Sequence, residues 1–188
     1  MRCLATLVLL TLGSLGATRV PERYQVALDS RFWIDGTATT GPWTCEADDV
    51  SGHGVLGGDA LRAEVSVPVR AFDCGSGPMN RDLRHALRSE AHPTIVFTLD
   101  SAETLGAEPR PGVWVRIRAT GRLRLAGAER RVTLDAEGRR LSDGRVALRG
   151  RHGLRMTDFG VDPPTHALGL VRAHDAIVVR FDLTAVAN

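Results

Sequence analysis

Cys45 and Cys74 are the side chains of this 188-residue chain best placed to do covalent chemistry; the third cysteine, Cys3, lies in an N-terminal apolar run. In an oxidising compartment a lone pair of thiols tends toward a disulfide. Closing a loop of about 30 residues contributes on the order of 3 kcal/mol by the chain-entropy relation. Zinc would need more ligands at tighter spacing than these two offer. A Cys45–Cys74 disulfide is therefore favoured over two buried free thiols, which stay open as the alternative. The histidines His53, His85, His92, His152, His166 and His174 show no metal-ligand spacing. His85 and His92 stand two helical turns apart, but Pro93 spoils the geometry, so no metal site is expected. Ser66, Ser76, Ser89 and Ser101 lack the Gly-x-Ser-x-Gly setting of an activated nucleophile. Asp158-Phe159-Gly160 spells a kinase triplet with no Gly-rich loop and no catalytic Asp and Asn to accompany it. It reads instead as a turn or bulge, with Gly160 supplying backbone freedom and Pro163-Pro164 ending the strand pairing. The carboxylates are scattered on polar faces. No catalytic residue emerges, and the expectation is a protein that is not an enzyme and carries no cofactor of its own.

Chemistry being sparse, the elements carry the information. Met1 and Arg2 precede the apolar run Cys3 to Leu12 and a small-residue stretch ending near Ala17. This is the pattern of a signal peptide over residues 1–17. Leu15, three before the cut, is larger than ideal, and an uncleaved anchor is the competing reading of the same segment. Gly13, Ser14 and Gly16 interrupt the run well short of the roughly twenty apolar residues that a spanning helix needs. Residues 18–188 then form one domain with room for a real core. The formal charge is +2, and all 24 basic side chains besides histidine are arginine. They are spread along the chain rather than gathered into the stripe that nucleic acid requires, so no nucleic-acid partner is expected.

Alternation with period two dominates that domain. Leu61, Ala63, Val65, Val67 and Val69 are apolar, while Arg62, Glu64, Ser66 and Arg70 between them are polar. One face is buried and the other wet. The pattern recurs at Tyr24, Val26 and Leu28, at Phe32 and Ile34, and at Ile95, Phe97 and Leu99. It continues through Val113, Val115, Ile117 and Ala119, then Leu123 and Leu125, Val132 and Leu134, Val146 and Leu148, and Ile177, Val179, Phe181 and Leu183. Turn signals fall at Asp35-Gly36, Gly57-Gly58, Pro111-Gly112, Gly127 and Asp143-Gly144. Eight or nine strands with short links predict an all-β, antiparallel, up-and-down barrel, whose closure removes exposed edges. One segment breaks the rhythm. Pro78 to Pro93 places Met79, Leu83, Ala86 and Leu87 on one helical face, with Asn80 as N-cap, Asp82 in the first turn and Pro93 as the stop. This predicts one short helix against the wall or over one end.

The segment MNRDLRHALRSEAHPTIVFTL resembles the helix-then-strand signature of the YceI family of periplasmic, polyisoprenoid-binding, lipocalin-like proteins. GRLRLAGAERRVTLD is similar to that family's Gly-x-Leu hairpin, here Gly121 to Gly127, and LRMTDFGVDPP to its Asp-Phe-Gly turn. DAIVVRFDLTA is similar to the closing strand, and WIDGTATTGPWTCEADDVSG to the opening one. The motifs stand in the expected order over nearly all of the chain after residue 17. Cys45 and Cys74 depart from the general pattern and leave subfamily and ligand open. The resemblance implies a lipocalin-like barrel of about eight strands in the periplasm, holding a long-chain isoprenoid, quinone-like or other amphiphilic lipid. Parity names Val65, Val67, Ile95, Phe97, Val115, Ile117, Leu134, Leu148 and Phe181 as inward candidates, with Phe159 at the mouth. Alternation alone cannot distinguish a packed core from a hollow one, and only the resemblance points to a cavity. Burying a prenyl unit is worth roughly 3–4 kcal/mol at about 0.8 kcal/mol per CH₂-sized group. The alternatives are a periplasmic structural or stress-response protein acting through its outer surface, and an accessory to lipid or quinone redox metabolism.

Overall fold

The structure is a computed structural model that describes residues 21–57, 60–106, 110–166 and 170–188. The expected signal segment, residues 1–17, lies outside the described residues. The alternating stretches become strands β1 (Glu22–Val26), β2 (Arg31–Ala38), β3 (Gly41–Ala47), β4 (Ser51–Gly57), β5 (Ala60–Pro68), β6 (Phe72–Asp73), β7 (Thr94–Leu105), β8 (Val115–Leu125), β9 (Ala128–Arg140), β10 (Val146–Arg155), β11 (Thr165–His166) and β12 (Val171–Ala187). Neighbours run β1-β4-β5-β7-β8-β9-β10-β12, and β12 pairs back to β1, so these eight close a ring. Every pairing is antiparallel. The up-and-down barrel expected from the alternation is the fold observed.

The first two turns of the ring are bent hairpins. β1 pairs β4 and β2 pairs β3, and both partners break together at residues 27–30 and 48–50. β1–β2 is thus one strand with a corner, and β3–β4 its partner. Ser30 holds the corner and is the buried polar side chain of the core (1% exposed); its hydroxyl accepts from the Thr184 N–H at 3.0 Å. A buried polar group so paired avoids the penalty of an orphaned one. The turn predicted at Asp35-Gly36 is corrected by this geometry. Both residues lie inside β2, and the chain reverses between Ala38 and Gly41. A Gly after an Asp marks a turn only where the backbone needs it, and here Gly36 serves as a flat spot under the Trp43 ring. Val113 also falls outside its expected strand: it precedes β8 and is half exposed.

β5 and β7 are hydrogen-bonded neighbours, yet 25 residues separate Pro68 from Thr94. This excursion, residues 69–93, packs over one end of the barrel instead of turning tightly. It carries a 3₁₀ turn (Val69–Ala71), β6 against β3, and the helix α1 (Gly77–Ala86). The Val69 N–H donates to Pro93 O at 2.8 Å and closes its base. Its N-cap is Ser76, whose hydroxyl accepts from the Met79 N–H, and Pro78 sits at the helix start where no donor is missed. Asn80, expected as the cap, is already inside the helix. It faces back to the strand, accepting from the Cys74 N–H at 2.7 Å and donating to Asp73. Asp82 is accordingly past the first turn, which carries no acidic residue. The helix ends at Ala86, with Arg88 in the left-handed region (φ 51°), well before Pro93. Leu83, Ala86 and buried Leu87 join the core from this lid, whereas Met79 points away.

The disulfide Cys45–Cys74 forms, tying β3 to the lid across 29 residues of sequence. Both cysteines are buried. Around them Val67, Val69, Phe72, Ile95, Leu125, Met156, Phe159 and Val161 make a sealed cluster, with Phe72 edge-on to Phe32 at 5.9 Å between ring centroids. One end of the barrel is therefore plugged by packed side chains.

Candidate functional site

Above the plug the wall changes character. Val65, Phe97, Val115, Ile117, Leu134, Leu148 and Phe181 share the inward face of their strands, and each is only half-buried. On a closed ring these side chains face the interior, and they are less completely covered than those of the plug. Val67, Ile95 and Phe159, placed by sequence among the lining residues, belong instead to the plug and are 2%, 8% and 2% exposed. Phe159 is not at a mouth. It lies in the 3₁₀ turn Met156–Phe159, which Gly160 ends in the left-handed region at φ 66°. The Asp158-Phe159-Gly160 turn therefore exists, but it turns its ring into the closed end.

Glycines set how the inward side chains lie. Gly36, Gly121, Gly138 and Gly150 occupy slots that alternation assigns to inward apolar residues. A β-carbon on Gly150 would lie 2.5 Å from the Phe181 ring, one on Gly121 2.6 Å from the Phe97 ring, and one on Gly138 2.7 Å from Ile117. The Trp43 ring covers Gly36 in the same way. Large inward side chains thus lie along the wall, over a neighbour that has none, instead of projecting to the axis. Rings resting on cross-strand glycines are a known device of curved sheets. Sequence reading missed these residues. Their signal is a glycine standing in an apolar slot of an alternating strand, which marks a close approach.

The two ends differ in polarity. At the end opposite the plug, Glu22, Tyr24 and Arg140 meet. The Tyr24 hydroxyl donates to the Glu22 carboxylate and accepts from Arg140 at 2.7 Å, while Arg140 also donates to Glu22. Burial and the neighbouring carboxylate push the Tyr24 phenol above its ordinary value, and these two partners raise Arg140 further. A recess of 420 Å³ opens beside Glu22, Arg140 and Ser142. At the plugged end a larger cleft of 710 Å³ lies between the β2–β3 hairpin and the Asp158 turn, lined by Gly36, Trp43, Leu154 and Ile177. There the β2–β12 ladder shifts register between Ala173 and Ile177. Outward faces are laced with ion pairs such as Arg180–Asp35, Arg149–Glu137 and Arg118–Asp135. Among the described residues no group of three or more His, Cys, Asp or Glu side chains could hold a metal, and no helix is long and apolar enough to cross a membrane.

This is a closed eight-strand up-and-down barrel with aromatic rings lying against inward-face glycines, an architecture whose interior either packs its own side chains or holds one small ligand. The YceI-like domain model matches residues 25–185, and the chain belongs to that family. Burkholderia cenocepacia BcnA superposes with a TM-score of 0.71 at 17% identity, covering 86% of this chain and 99% of that one. A polyisoprenoid binding domain from Saccharophagus degradans, implicated in plant cell wall breakdown, gives 0.72 at 16% identity, covering 88% and 98%. The Campylobacter jejuni YCEI protein gives 0.58 at 18% identity, covering 77% and 84%. No curated protein matches the sequence.

Proposed function

We propose that this protein is a binding protein, not an enzyme, that carries a polyisoprenoid, quinone-like or comparably slender lipid in the lumen of its barrel. The observation that carries the reading is the wall itself: inward residues such as Ile117, Leu134 and Phe181 face the interior and stay only partly buried. Such a surface is costly in water. Covering it with a prenyl chain recovers about 25 cal/mol per Å² of apolar area. The likeness to a polyisoprenoid binding domain supports the choice of ligand class. No charged anchor is needed along the wall, because a few five-carbon units already outweigh the cost of ordering the ligand. The basic, apolar and small-residue order of residues 1–17 supports export to the periplasm, as does the disulfide, which persists in an oxidising compartment.

Native protein, purified gently and extracted with organic solvent, is expected to release one long-chain lipid per polypeptide by mass spectrometry. Protein that releases none, and takes up none from a panel of isoprenoids and quinones, would remove the basis for this function.

A further inference from the structure

His152 sits where an all-apolar lumen would place a hydrocarbon. On β10 Arg149, Arg151 and Arg155 face solvent, while Leu148, Gly150, His152 and Leu154 share the inward face. His152 pairs with Val179 on β12, and the next inward residue of β9 beyond the last Arg151–Asp135 pair is Leu134. Along its own strand the neighbour is Gly150, over which the Phe181 ring lies. The site is six residues in from Val146 at the open end and four short of Met156 in the plug, so it belongs to neither rim. Its imidazole has no hydrogen-bond or ion-pair partner among the described residues, and its nitrogens are not sealed away. In the empty barrel water can pair with this ring, and a lipid that displaces that water among Leu134, Leu154 and Val179 must supply the lost hydrogen bond itself.

We propose that His152 is the polar recognition point of the lumen, hydrogen-bonding a neutral oxygen, carbonyl or hydroxyl, on the bound lipid. The inference rests on the carrier reading above and specifies its ligand: an amphiphile with an uncharged, oxygen-bearing group held at mid-wall, as a quinone ring or a terminal alcohol provides. Burial holds the imidazole below its ordinary pKa of 6.5, with Asp135 opposing from the neighbouring strand. The ring is then neutral near pH 7, with one N–H to give a carbonyl and one bare nitrogen to receive a hydroxyl. A diphosphate at this depth would meet no cation. Arg140, the inward arginine of the open rim, is already held by Glu22 and Tyr24.

The test compares four probes on the full chain: a ubiquinone with a decyl tail, farnesol, squalane and geranylgeranyl diphosphate. Binding is read from tryptophan fluorescence. His152→Leu is expected to weaken the quinone and the alcohol about three- to tenfold, the worth of one hydrogen bond, and to leave squalane unchanged or tighter. His152→Gln restores part of the loss. In the wild type, the quinone is expected to shift the His152 ring nitrogen resonances and squalane to leave them in place, a readout that needs no variant. Equal loss for all probes, or no loss for the quinone, overturns the role of His152 while leaving the carrier intact. If the wild-type protein binds none of the four, the carrier reading falls, and this inference with it.

Discussion

The plugged end and the open wall of this barrel are built from the same strands with the same alternation, yet they bury their side chains to different depths. At the plug Val67, Val69, Phe72 and Phe159 are each 2% exposed or less, sealed by the lid of residues 69–93 and by the turn after β10. A few residues along the same strands Val65, Leu148 and Phe181 stay half-exposed, although they too face inward. The difference lies in what stands opposite. At the plug an inward side chain meets packed neighbours from outside the ring, whereas along the wall the Phe97 and Phe181 rings lie against glycines of the neighbouring strands. Most of the best-covered side chains gather at one end, and the proposed binding surface lies along the wall.

Truncating one aromatic in each region tests that contrast most strongly. Phe72→Ala leaves a cavity in a sealed cluster and is expected to cost about 3–5 kcal/mol in urea unfolding. Phe181→Ala removes a ring already half in the lumen and is expected to cost roughly half as much, while enlarging the cavity. Equal losses would erase the distinction between plug and wall. A smaller effect sharpens it from the side of binding. Gly150→Ala puts a methyl 2.5 Å from the Phe181 ring and drives that ring toward the axis. Lipid uptake is expected to fall several-fold at a stability cost of about 1–3 kcal/mol, and Phe181→Leu in the same chain is expected to restore uptake. An unchanged capacity in Gly150→Ala would mean that the rings do not set the bore.

The smallest expected effect is electrostatic. His152 in the wall has a folded-state pKa below its unfolded value, with burial as the main cause. Between the two values the unfolded chain binds more protons, so stability rises with pH across that window and declines as pH falls below about 6.5. Replacing His152 by Leu is expected to flatten the pH dependence of the urea midpoint between pH 5 and 7. A profile equally steep without His152 would show that the wall is as wet as the surface.

Much of the site was legible in the chain. Period-two runs such as Val115 to Ala119 and Ile177 to Leu183 pointed to the class and the inward parity, because a strand offers its side chains only two faces. The lid was harder to read. The helix was visible, but its cap was placed at Asn80 rather than Ser76, since both residue types cap equally well and only the fold of the lid brings Asn80 back against Asp73 of β6 and Cys74. His152 carried no local mark, because its meaning depends on Val179 and Leu134, which are distant in sequence.

By itself, the order of residues determined an alternating, antiparallel, closed architecture and a pair of cysteines able to join. Local stereochemistry and hydrophobic pattern act over a few residues, and they suffice for that. Only the tertiary structure decided which end is plugged, and that the rings of Phe97 and Phe181 rest on Gly121 and Gly150. Both follow from contacts across strands, where the depth to which a side chain is covered depends on neighbours that no single stretch of sequence contains.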